Sequence, residues 1–309
     1  MSKIVIALGG NALMENEDSR DYETQVSRAV IAFESLSDII VKEDVIITHG
    51  NGPQVGDLIL RNQESGNLPP SMPMHTLGAM SQGLIGEILI EAYEQVRSRS
   101  GIGKEAVNIL TRTIVSDQDS AFRNPDKPVG RVYTEAEYNK QKSSTAWSFM
   151  KTEKGWRRCV PSPMPLDILE KNAIMNCLNA GFLPICTGGG GIPVCKEGNF
   201  YRGVDAVIDK DLASYVLAHM LEAEEFVMLT DVDNVFVDFG KSTQKALGKV
   251  SLKEIKKYYG DGQFSRGSMG PKVLAAINFV EHGGKVARIG SLKDANNVIS
   301  GLSGTVIQD

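Results

Sequence analysis

The stretch IITHGNGPQVG, residues 46–56, joins a short β-branched run to a turn rich in glycine. Its first residues are typical of a buried strand, and Gly50 and Gly52 then flank Asn51 before a proline. A strand that ends in glycines just before a helix presents backbone N–H groups that can bind an anion. For a single cluster, a tight turn without any ligand is the simpler explanation. The stretch therefore predicts a strand, a turn and a helix, and it leaves an anion site as an open alternative.

Short apolar runs and helical periodicities alternate along the chain. Buried strands are predicted at residues 3–8, 45–48, 182–186, 226–229 and 286–289, and helices at 26–40, 55–62, 75–97, 166–180, 211–221 and 272–282. This alternation indicates a mainly parallel sheet that is covered by helices on both faces. Ligands of such sheets bind at the carboxyl ends of the strands, which is where the glycines stand.

Residues from 117 to about 161 interrupt this alternation. The segment is polar, contains prolines at positions 125 and 128, and holds both tryptophans of the chain, Trp147 and Trp156. Because aromatic residues punctuate the segment, we expect a folded, protruding insertion rather than a disordered tail.

The bulk composition is that of an ordinary globular protein. The 309 residues carry a net charge of −5, with 23% charged and 42% hydrophobic residues, and the length suits two domains or one continuous sheet. No block of Lys and Arg suggests a nucleic-acid partner, and no apolar run approaches the roughly 18 residues of a membrane span. The N-terminus leaves no room for a signal peptide, and the four cysteines lack C-x-x-C spacing. We expect neither zinc nor disulfides, and a cytoplasmic location.

Glycine clusters occur at four predicted strand ends or helix starts: residues 9–11, 50–52, 188–191 and 267–272. One cluster indicates a turn, whereas four together suggest a shared anionic ligand with many oxygens, and phosphates fit. No G-x-x-x-x-G-K-[ST] loop is present, and the D-F-G at residues 238–240 has no H-R-D loop before it. A nicotinamide-dependent dehydrogenase stays a remote alternative, because residues 50–56 are one residue off the dinucleotide fingerprint. Its acidic residue would be Glu64, which falls in a predicted helix.

Two lysines stand where helices are predicted to begin. Asp209 suits the N-cap of a helix, which puts Lys210 and Asp211 in its first turn. Asp211 suits the positive end of the helix dipole, whereas Lys210 opposes it by roughly a few tenths of a kcal/mol. Lys272 raises the same question at another helix start. Each lysine is either a solvated side chain or a cation that is held at a phosphate.

Nine stretches together are specific for one family. They are ALGGNAL, HGNGPQVG, MHTLGAMSQGLIG, NPDKPVGRVYTEAE, VPSPMPLDILE, GGGGIPV, GVDAVIDKDLAS, LTDVDNV and GSMGPKVLAAI. In these stretches and in their order, the sequence resembles carbamate kinases of the amino-acid kinase family over nearly its whole length. The resemblance implies an α/β fold, a three-layer αβα sandwich with a long, mainly parallel sheet and a small protruding insertion.

The resemblance also implies a domain organisation and a reaction. One amino-acid kinase domain would cover residues 1–309, with a carbamate-binding lobe at 1–190, which includes the insertion, and a nucleotide-binding lobe at 191–309. The reaction would be ATP plus carbamate to ADP plus carbamoyl phosphate, commonly run toward ATP synthesis in arginine fermentation. Mg²⁺ would be bound through the ATP or ADP phosphates without a direct protein ligand, and the protein would be a homodimer.

Site residues follow from the same resemblance. Lys210 and Lys272 would contact the transferring phosphoryl oxygens from two sides, and Asp211 would lie between them and hold both ammonium groups. Lys127 would reach over the carbamate pocket from the insertion. The residues that would supply donors to carbamate and the phosphate are Gly9, Gly10, Asn11, Gly50, Asn51 and Gly52, and those on the nucleotide side are Asp231, Met269 and Gly270. His49 would be a structural neighbour of the site rather than a catalytic residue.

Two positions depart from the wider family. Many relatives carry a lysine two positions before the paired glycines of the first strand, where this chain has Ala7. That difference speaks against another small-carboxylate kinase of the family, the nearest alternative, because Lys127 can supply the charge from elsewhere. Asn234 stands where glycine is frequent, and asparagine tolerates a left-handed backbone. A regulatory relative without activity would lack a charged residue of the site, and none is missing.

Overall fold

The computed structural model describes residues 1–10, 14, 19–64, 70–265 and 267–309. Its helices are α1 Tyr22–Lys42, α2 Gly52–Glu64, α3 Met74–Ser100, α4 Glu135–Ser144, α5 Lys171–Asn179, α6 Lys210–Met220, α7 Leu252–Gly260, α8 Met269–Glu281 and α9 Ala295–Ile299. Its strands are β1 Lys3–Leu8, β2 Asp44–His49, β3 Ala106–Asn108, β4 Arg112–Ile114, β5 Lys127–Tyr133, β6 Ser148–Thr152, β7 Gly155–Val160, β8 Asp167–Ile168, β9 Leu183–Cys186, β10 Ile192–Glu197, β11 Phe200–Gly203, β12 Glu225–Thr230, β13 Val235–Val237, β14 Lys245–Leu247, β15 Lys249–Ser251, β16 Val286–Ser291 and β17 Thr305–Gln308. Within these residues, no helix is both long enough and apolar enough to cross a membrane.

The main sheet runs through both halves of the chain. In the described part of the chain it has eight strands, in the order β15-β17-β16-β12-β1-β2-β9-β3. The first strand pairs in parallel with β12 on one side and with β2 on the other, and β9 and β3 continue the parallel arrangement. Antiparallel pairing joins β16 to β17 toward one edge. The predicted α/β fold with a long, mainly parallel sheet is therefore confirmed.

Alternate residues of the central strand β1 pack on opposite faces of the sheet. Val5 and Ala7 join an apolar core with α6 and α8, whereas Ile6 and Leu8 join a second core with α1 and α3. A strand that is buried on both faces needs an unbroken apolar run, because successive side chains point to opposite faces. The result is the predicted three-layer αβα sandwich.

The carboxyl ends of the parallel strands meet at one edge of the sheet. There β1 continues into Gly9, β2 into Gly50, β9 into Thr187 and β12 into Asp231. Segments that are far apart in sequence, including three of the four glycine clusters, therefore lie side by side, as the strand–helix alternation predicts.

The segment predicted as an insertion forms a small unit of its own. Strands β5, β7 and β6 make an antiparallel sheet, against which α4 packs. The ring of Trp156 stacks on Tyr138 with centroids 3.9 Å apart. Val129 and Val160 attach the insertion to α2 and α3 through an apolar cluster. Aromatic and apolar contacts thus explain how a largely polar segment folds.

One predicted helix is wrong at its N-terminal end. The periodicity predicts a helix over 166–180, but β8 occupies its start and α5 begins only at Lys171. Leu166 N donates to Ile114 O at 2.9 Å, which continues the pairing of β8 with β4. Prolines at positions 163 and 165 favour extended backbone in the residues before them, so strand pairing overrides the helical pattern here.

Candidate active site

A buried carboxylate joins two lysines at the carboxyl edge of the sheet. Asp209 caps α6 with its side chain, so Lys210 and Asp211 form the first turn, as predicted. Asp211 is 3% exposed, and its oxygens accept hydrogen bonds from Lys210 Nζ at 2.5 Å and Lys272 Nζ at 2.8 Å. The second lysine comes from the first turn of α8. One carboxylate therefore fixes the positions of two ammonium groups.

The charges of this cluster depend on one another. Burial acts to raise the pKa of Asp211, but the two adjacent ammonium groups hold it well below its ordinary value. Burial lowers the pKa of Lys210 despite the attraction of Asp211, and the charge of Lys272 lowers it further. Burial also acts to lower the pKa of Lys272, but the Asp211 carboxylate raises it overall. Two protonated lysines and one ionised carboxylate sum to a net charge of +1, which attracts an anion.

Two glycines predicted as donors have their N–H groups committed to neighbouring strands. Gly9 N donates to Leu229 O at 2.8 Å, and Gly50 N donates to Leu8 O at 3.0 Å. Both N–H groups are thus paired within the sheet, and a contact of Gly9 or Gly50 with carbamate or phosphate stays a prediction. A Cβ at Gly50 would lie 2.9 Å from the backbone N of Gly10 and 3.2 Å from Cδ of Lys210. Close packing at the strand ends requires glycine at this position.

The start of α2 offers backbone donors instead. Asn51 O accepts from Val55 N at 2.8 Å, so Asn51 stands at the N-cap and Gly52 opens the helix. The first N–H groups of a helix have no partner within it, and together with the helix dipole they favour an anion. The space next to Gly52 is open, because a Cβ there would meet nothing within 4 Å. A Cβ at Gly10 would make only an ordinary contact, at 3.6 Å from Pro53 Cδ. Of the other predicted donors, Asn11 lies outside the described residues.

The four-glycine stretch packs around side chains of the same edge. Gly189 has φ 62°, and a Cβ there would lie 2.1 Å from Asn51 Nδ2, so no side chain fits. A Cβ at Gly188 would lie 2.4 Å from Cε1 of His49. The Asn51 amide donates to Ser81 Oγ at 2.8 Å. These glycines let the backbone close over Asn51 and His49 and hold both in place.

His49 is fully buried and uncharged behind the glycines. Burial lowers its pKa to about 4, against the hydrogen bond with Gly50 O and with help from the charge of Lys210. Its Nδ1 lies 2.9 Å from Gly50 O, and because a carbonyl only accepts, Nδ1 carries the proton. No described group partners Nε2. The neutral ring supports the backbone of the site, which agrees with the structural role expected of it.

The depressed pKa of His49 predicts a loss of stability in acid. Between pH 6.5 and pH 4 the unfolded chain binds a proton at this histidine that the folded protein does not, so stability falls as the pH falls. The free energy of unfolding should decrease by about 3 kcal/mol from this group between pH 7 and pH 4. His49→Asn keeps a donor to Gly50 but cannot titrate, so denaturant titrations should show a shallower pH slope. Equal pH slopes in the wild type and in His49→Asn would contradict the prediction.

A cleft of about 1070 Å³ opens beside this edge of the sheet. Its lining includes Asn51, Gly52 and Gly189, together with Lys127 from the insertion and Asp209 from the cap of α6. Lys127 Nζ lies 3.0 Å from Asp209 Oδ2. The structure thus brings the insertion lysine next to the segment that carries Lys210 and Asp211.

The three residues predicted to contact the nucleotide lie in the C-terminal half of the chain, after β12 and at the start of α8. Asp231 follows β12, is exposed, and accepts from Thr230 Oγ1 at 3.0 Å. Met269 begins α8 and packs against the apolar core. Gly270 N donates to Ser265 O at 2.8 Å, and a Cβ there would lie 2.8 Å from the same oxygen, so backbone packing requires this glycine. A contact of these residues with a nucleotide stays a prediction.

The acidic side chains near the lysine cluster determine how a metal ion could be held. Among the residues that the structure describes, no three His, Cys, Asp or Glu side chains form a cluster that could hold a metal ion. The carboxylates closest to the lysines, Asp209 and Asp211, are occupied by ion pairs. Binding of Mg²⁺ through nucleotide phosphates stays a prediction.

Comparison with known proteins agrees with the class that this fold and site define. Residues 2–291 match the model of the amino acid kinase family, and the chain belongs to this family. Carbamate kinases from Thermoplasma volcanium and Thermoplasma acidophilum are each 50% identical to it, over 99% of either chain. The solved structure of carbamate kinase from Giardia lamblia bound to AMP-PNP has a TM-score of 0.93 at 42% identity, and it covers 99% of this chain and 98% of that chain. The predicted resemblance to carbamate kinases and the phosphotransferase class are therefore confirmed.

Two side chains of the cleft have roles that the sequence does not reveal. The pattern identifies Asp209 only as a helix cap, although its second oxygen pairs with Lys127. Arg157, on β7, lines the cleft and donates to Gly130 O at 3.0 Å. The contact of Lys127 with Asp209 depends on how the insertion lies against the main domain, whereas Arg157 and Gly130 meet across neighbouring strands within the insertion. No local spacing predicts them.

Proposed function

We propose that this protein catalyses reversible phosphoryl transfer, ATP + carbamate = ADP + carbamoyl phosphate. The observation that carries the proposal is the pair of lysines held by Asp211 at the carboxyl edge of the sheet. The relatives that share half of its residues are carbamate kinases. In phosphoryl transfer the protein supplies positioning and charge stabilisation rather than covalent chemistry, and this cluster is suited to both.

The lysines contact the transferring group, and Asp211 organises them. The phosphoryl group carries negative charge on three equatorial oxygens, which Lys210 and Lys272 approach from two elements, α6 and α8. An ammonium that gives one hydrogen bond to Asp211 keeps two further N–H groups for phosphoryl oxygens. Asp211 has both oxygens occupied and a low pKa, so it acts as an organiser and not as a general base. Carbamate, which is already anionic, needs no base to make its oxygen nucleophilic.

Carbamate, rather than a larger carboxylate, fits the distribution of charge around the cleft. Ala7 is a residue of β1 and is fully buried in the core. This position therefore supplies no cation to the site. The insertion supplies one instead, because the ammonium group of Lys127 lies in the cleft. In this proposal Lys127 contacts the carbamoyl phosphate from the side opposite the sheet, while the start of α2, with Asn51 and Gly52, offers its backbone donors.

Residues 191–309 bind the nucleotide in this proposal, and residues 1–190 bind carbamate. Met269 and Lys272 share the first turn of α8, which supports a nucleotide beside the phosphoryl-binding lysine. Asp231 and Gly270 complete the nucleotide side, and Mg²⁺ neutralises the nucleotide phosphates. The support for Asp231 is its place at the end of β12, directly beside β1 in the sheet.

The wider setting of the proposal is a cytoplasmic homodimer that makes ATP at the end of arginine fermentation. Helix α3 supports the dimer, because Met80 and Leu84, 48% and 39% exposed, flank the exposed Gly83. The four cysteines are free, which suits a reducing compartment. The direction of the reaction in the cell rests on the resemblance alone.

The purified protein should make ATP from Mg·ADP and carbamoyl phosphate. A coupled assay of ATP formation checks this directly, with the variant Asp211→Asn measuring the background, because spontaneous decay of carbamoyl phosphate makes no ATP. Acetylglutamate and aspartate, offered with Mg·ATP, test the alternative of another small-carboxylate kinase. Turnover of either acid, with none of carbamoyl phosphate, would replace the proposed reaction by that alternative.

A further inference from the structure

Asp209 uses its two carboxylate oxygens for different contacts. Oδ1 accepts from the backbone N–H of Asp211 at 3.0 Å and of Leu212 at 3.4 Å, which caps α6. Oδ2 accepts from Lys127 Nζ at 3.0 Å. A helix cap needs only one side-chain oxygen, so the contact with Lys127 is not required to start the helix. Both side chains line the cleft, so the contact places the Lys127 ammonium there.

The Lys127–Asp209 pair connects the insertion to the helix that carries the phosphoryl-binding lysine. Lys127 begins β5, and Asp209 directly precedes Lys210. The two side chains of the pair are 33% and 14% exposed, so water screens the attraction only in part. Among ion pairs between described residues, no other joins residues 117–161 to the rest of the chain. The apolar contacts of Val129 and Val160 with α2 and α3 hold the insertion but do not orient the Lys127 ammonium.

We propose that Asp209 is a positioning residue that holds the Lys127 ammonium in the cleft beside Lys210 before the substrate binds. The inference rests on the proposed function, because it assigns both lysines to one phosphoryl-bearing substrate. A free lysine side chain loses rotamer entropy when it becomes ordered on a ligand. Asp209 orders Lys127 in advance, and because the same carboxylate caps α6, it fixes Lys127 relative to the first turn of that helix.

Three substitutions separate the ion pair from the helix cap. Asp209→Asn keeps an oxygen for the cap and places an amide NH₂ opposite Lys127, which removes the ion pair. Asp209→Ser also caps a helix but is too short to reach Lys127. Asp21→Asn is the matched control, because Asp21 caps α1 through Thr24 N at 2.8 Å. Since each variant retains a good capping residue, all three should unfold thermally close to the wild type.

Kinetics with Mg·ADP and carbamoyl phosphate test the positioning role. Asp209→Asn and Asp209→Ser should each lower kcat/KM for carbamoyl phosphate about ten-fold, the effect of losing a hydrogen bond to a charged group. The Kd of ADP, measured by calorimetry, should stay nearly unchanged, and Asp21→Asn should behave as wild type. In a double-mutant cycle, Asp209→Asn should add almost nothing to the loss caused by Lys127→Ala. Wild-type kcat/KM in both Asp209 variants, or additive losses in the cycle, would overturn the inference.

Hydrogen–deuterium exchange of the substrate-free protein tests the same contact without any turnover. The backbone amides of β5 should exchange faster in Asp209→Asn and in Lys127→Ala than in Asp21→Asn or the wild type. Unchanged exchange in both variants would show that the pair does not hold the insertion, and the positioning role would be rejected. If the wild type made no ATP from carbamoyl phosphate, the proposed function would fail, while this measurement would still decide whether Asp209 holds Lys127.

Discussion

Lys210→Ala is expected to lower kcat by roughly 10²–10³-fold, the cost of removing one preorganised charged donor from a dry site. The Lys210 ammonium is held at 2.5 Å by Asp211 and its side chain is only 14% exposed, so solvent cannot replace it without rearrangement. Because charge on the phosphoryl oxygens changes during transfer, the contact should contribute more in the transition state than in the ground state. The Kd of ADP should therefore change much less than kcat. Lys272→Ala should show the same pattern, since its ammonium contacts the other oxygen of Asp211.

Lys171 provides a matched control for this experiment. Like Lys210, it is the first residue of a helix and is paired with a carboxylate at 3.0 Å, but that carboxylate is Asp167 and not the Asp211 that Lys210 shares with Lys272. Lys171→Ala should leave kcat close to the wild-type value. If Lys210→Ala raised KM and the Kd of ADP while kcat stayed unchanged, the lysine would contribute equally to the ground state and the transition state. It would then bind the nucleotide without accelerating the reaction.

The elements of this fold are predictable because its central strands are buried on both faces. A run such as residues 3–8 can bury all of its side chains only inside a sheet that is covered on two sides, so the apolar pattern alone indicates the architecture. The predicted boundaries of helices and strands are wrong where pairing with a strand distant in sequence determines the local structure. Residues 166–168 have a helical periodicity, yet their backbone hydrogen bonds go to β4. A single sequence contains no direct information about that partner.

The candidate site is predictable in its location but not in the use of each residue. Glycines at strand ends indicate the edge of the sheet where the charged cluster of Asp211 lies. A Cβ at Gly9 or Gly50 would come within about 3 Å of neighbouring backbone atoms, so packing alone requires glycine at both positions. The carbonyl groups that take up their N–H groups belong to other strands, which no local pattern shows. Asp211 and Lys272 are 61 residues apart, and Lys127 and Asp209 are 82 residues apart. The first contact was inferred from family resemblance, and the second becomes visible only in the folded chain.

Asp211→Asn is expected to lower kcat by a similar roughly 10²–10³-fold, although in the proposed mechanism Asp211 does not touch the phosphoryl group. Its carboxylate is the shared acceptor of both ammonium groups, and the pKa of Asp211 lies well below its ordinary value because those groups stabilise its charge. An asparagine has only one acceptor oxygen and turns its NH₂ group toward one lysine. Removing one partner of a buried ionic cluster also costs about 3–5 kcal/mol of stability, so circular dichroism and the Kd of ADP must first establish that the variant is folded.

The double variant Lys210→Ala with Asp211→Asn distinguishes an organiser from an independent catalytic group. If Asp211 acts by holding the lysines, part of its effect is already lost when Lys210 is absent, so the combined fall in kcat should be clearly smaller than the product of the single falls. The same cycle with Lys272→Ala should give a coupling of the same sign, because the carboxylate serves both lysines through separate oxygens. Lys171→Ala combined with Asp211→Asn should give no coupling, since Lys171 pairs with a different carboxylate, Asp167. Multiplicative losses in both lysine cycles would mean that Asp211 contributes to the reaction on its own, and the organiser role would have to be abandoned.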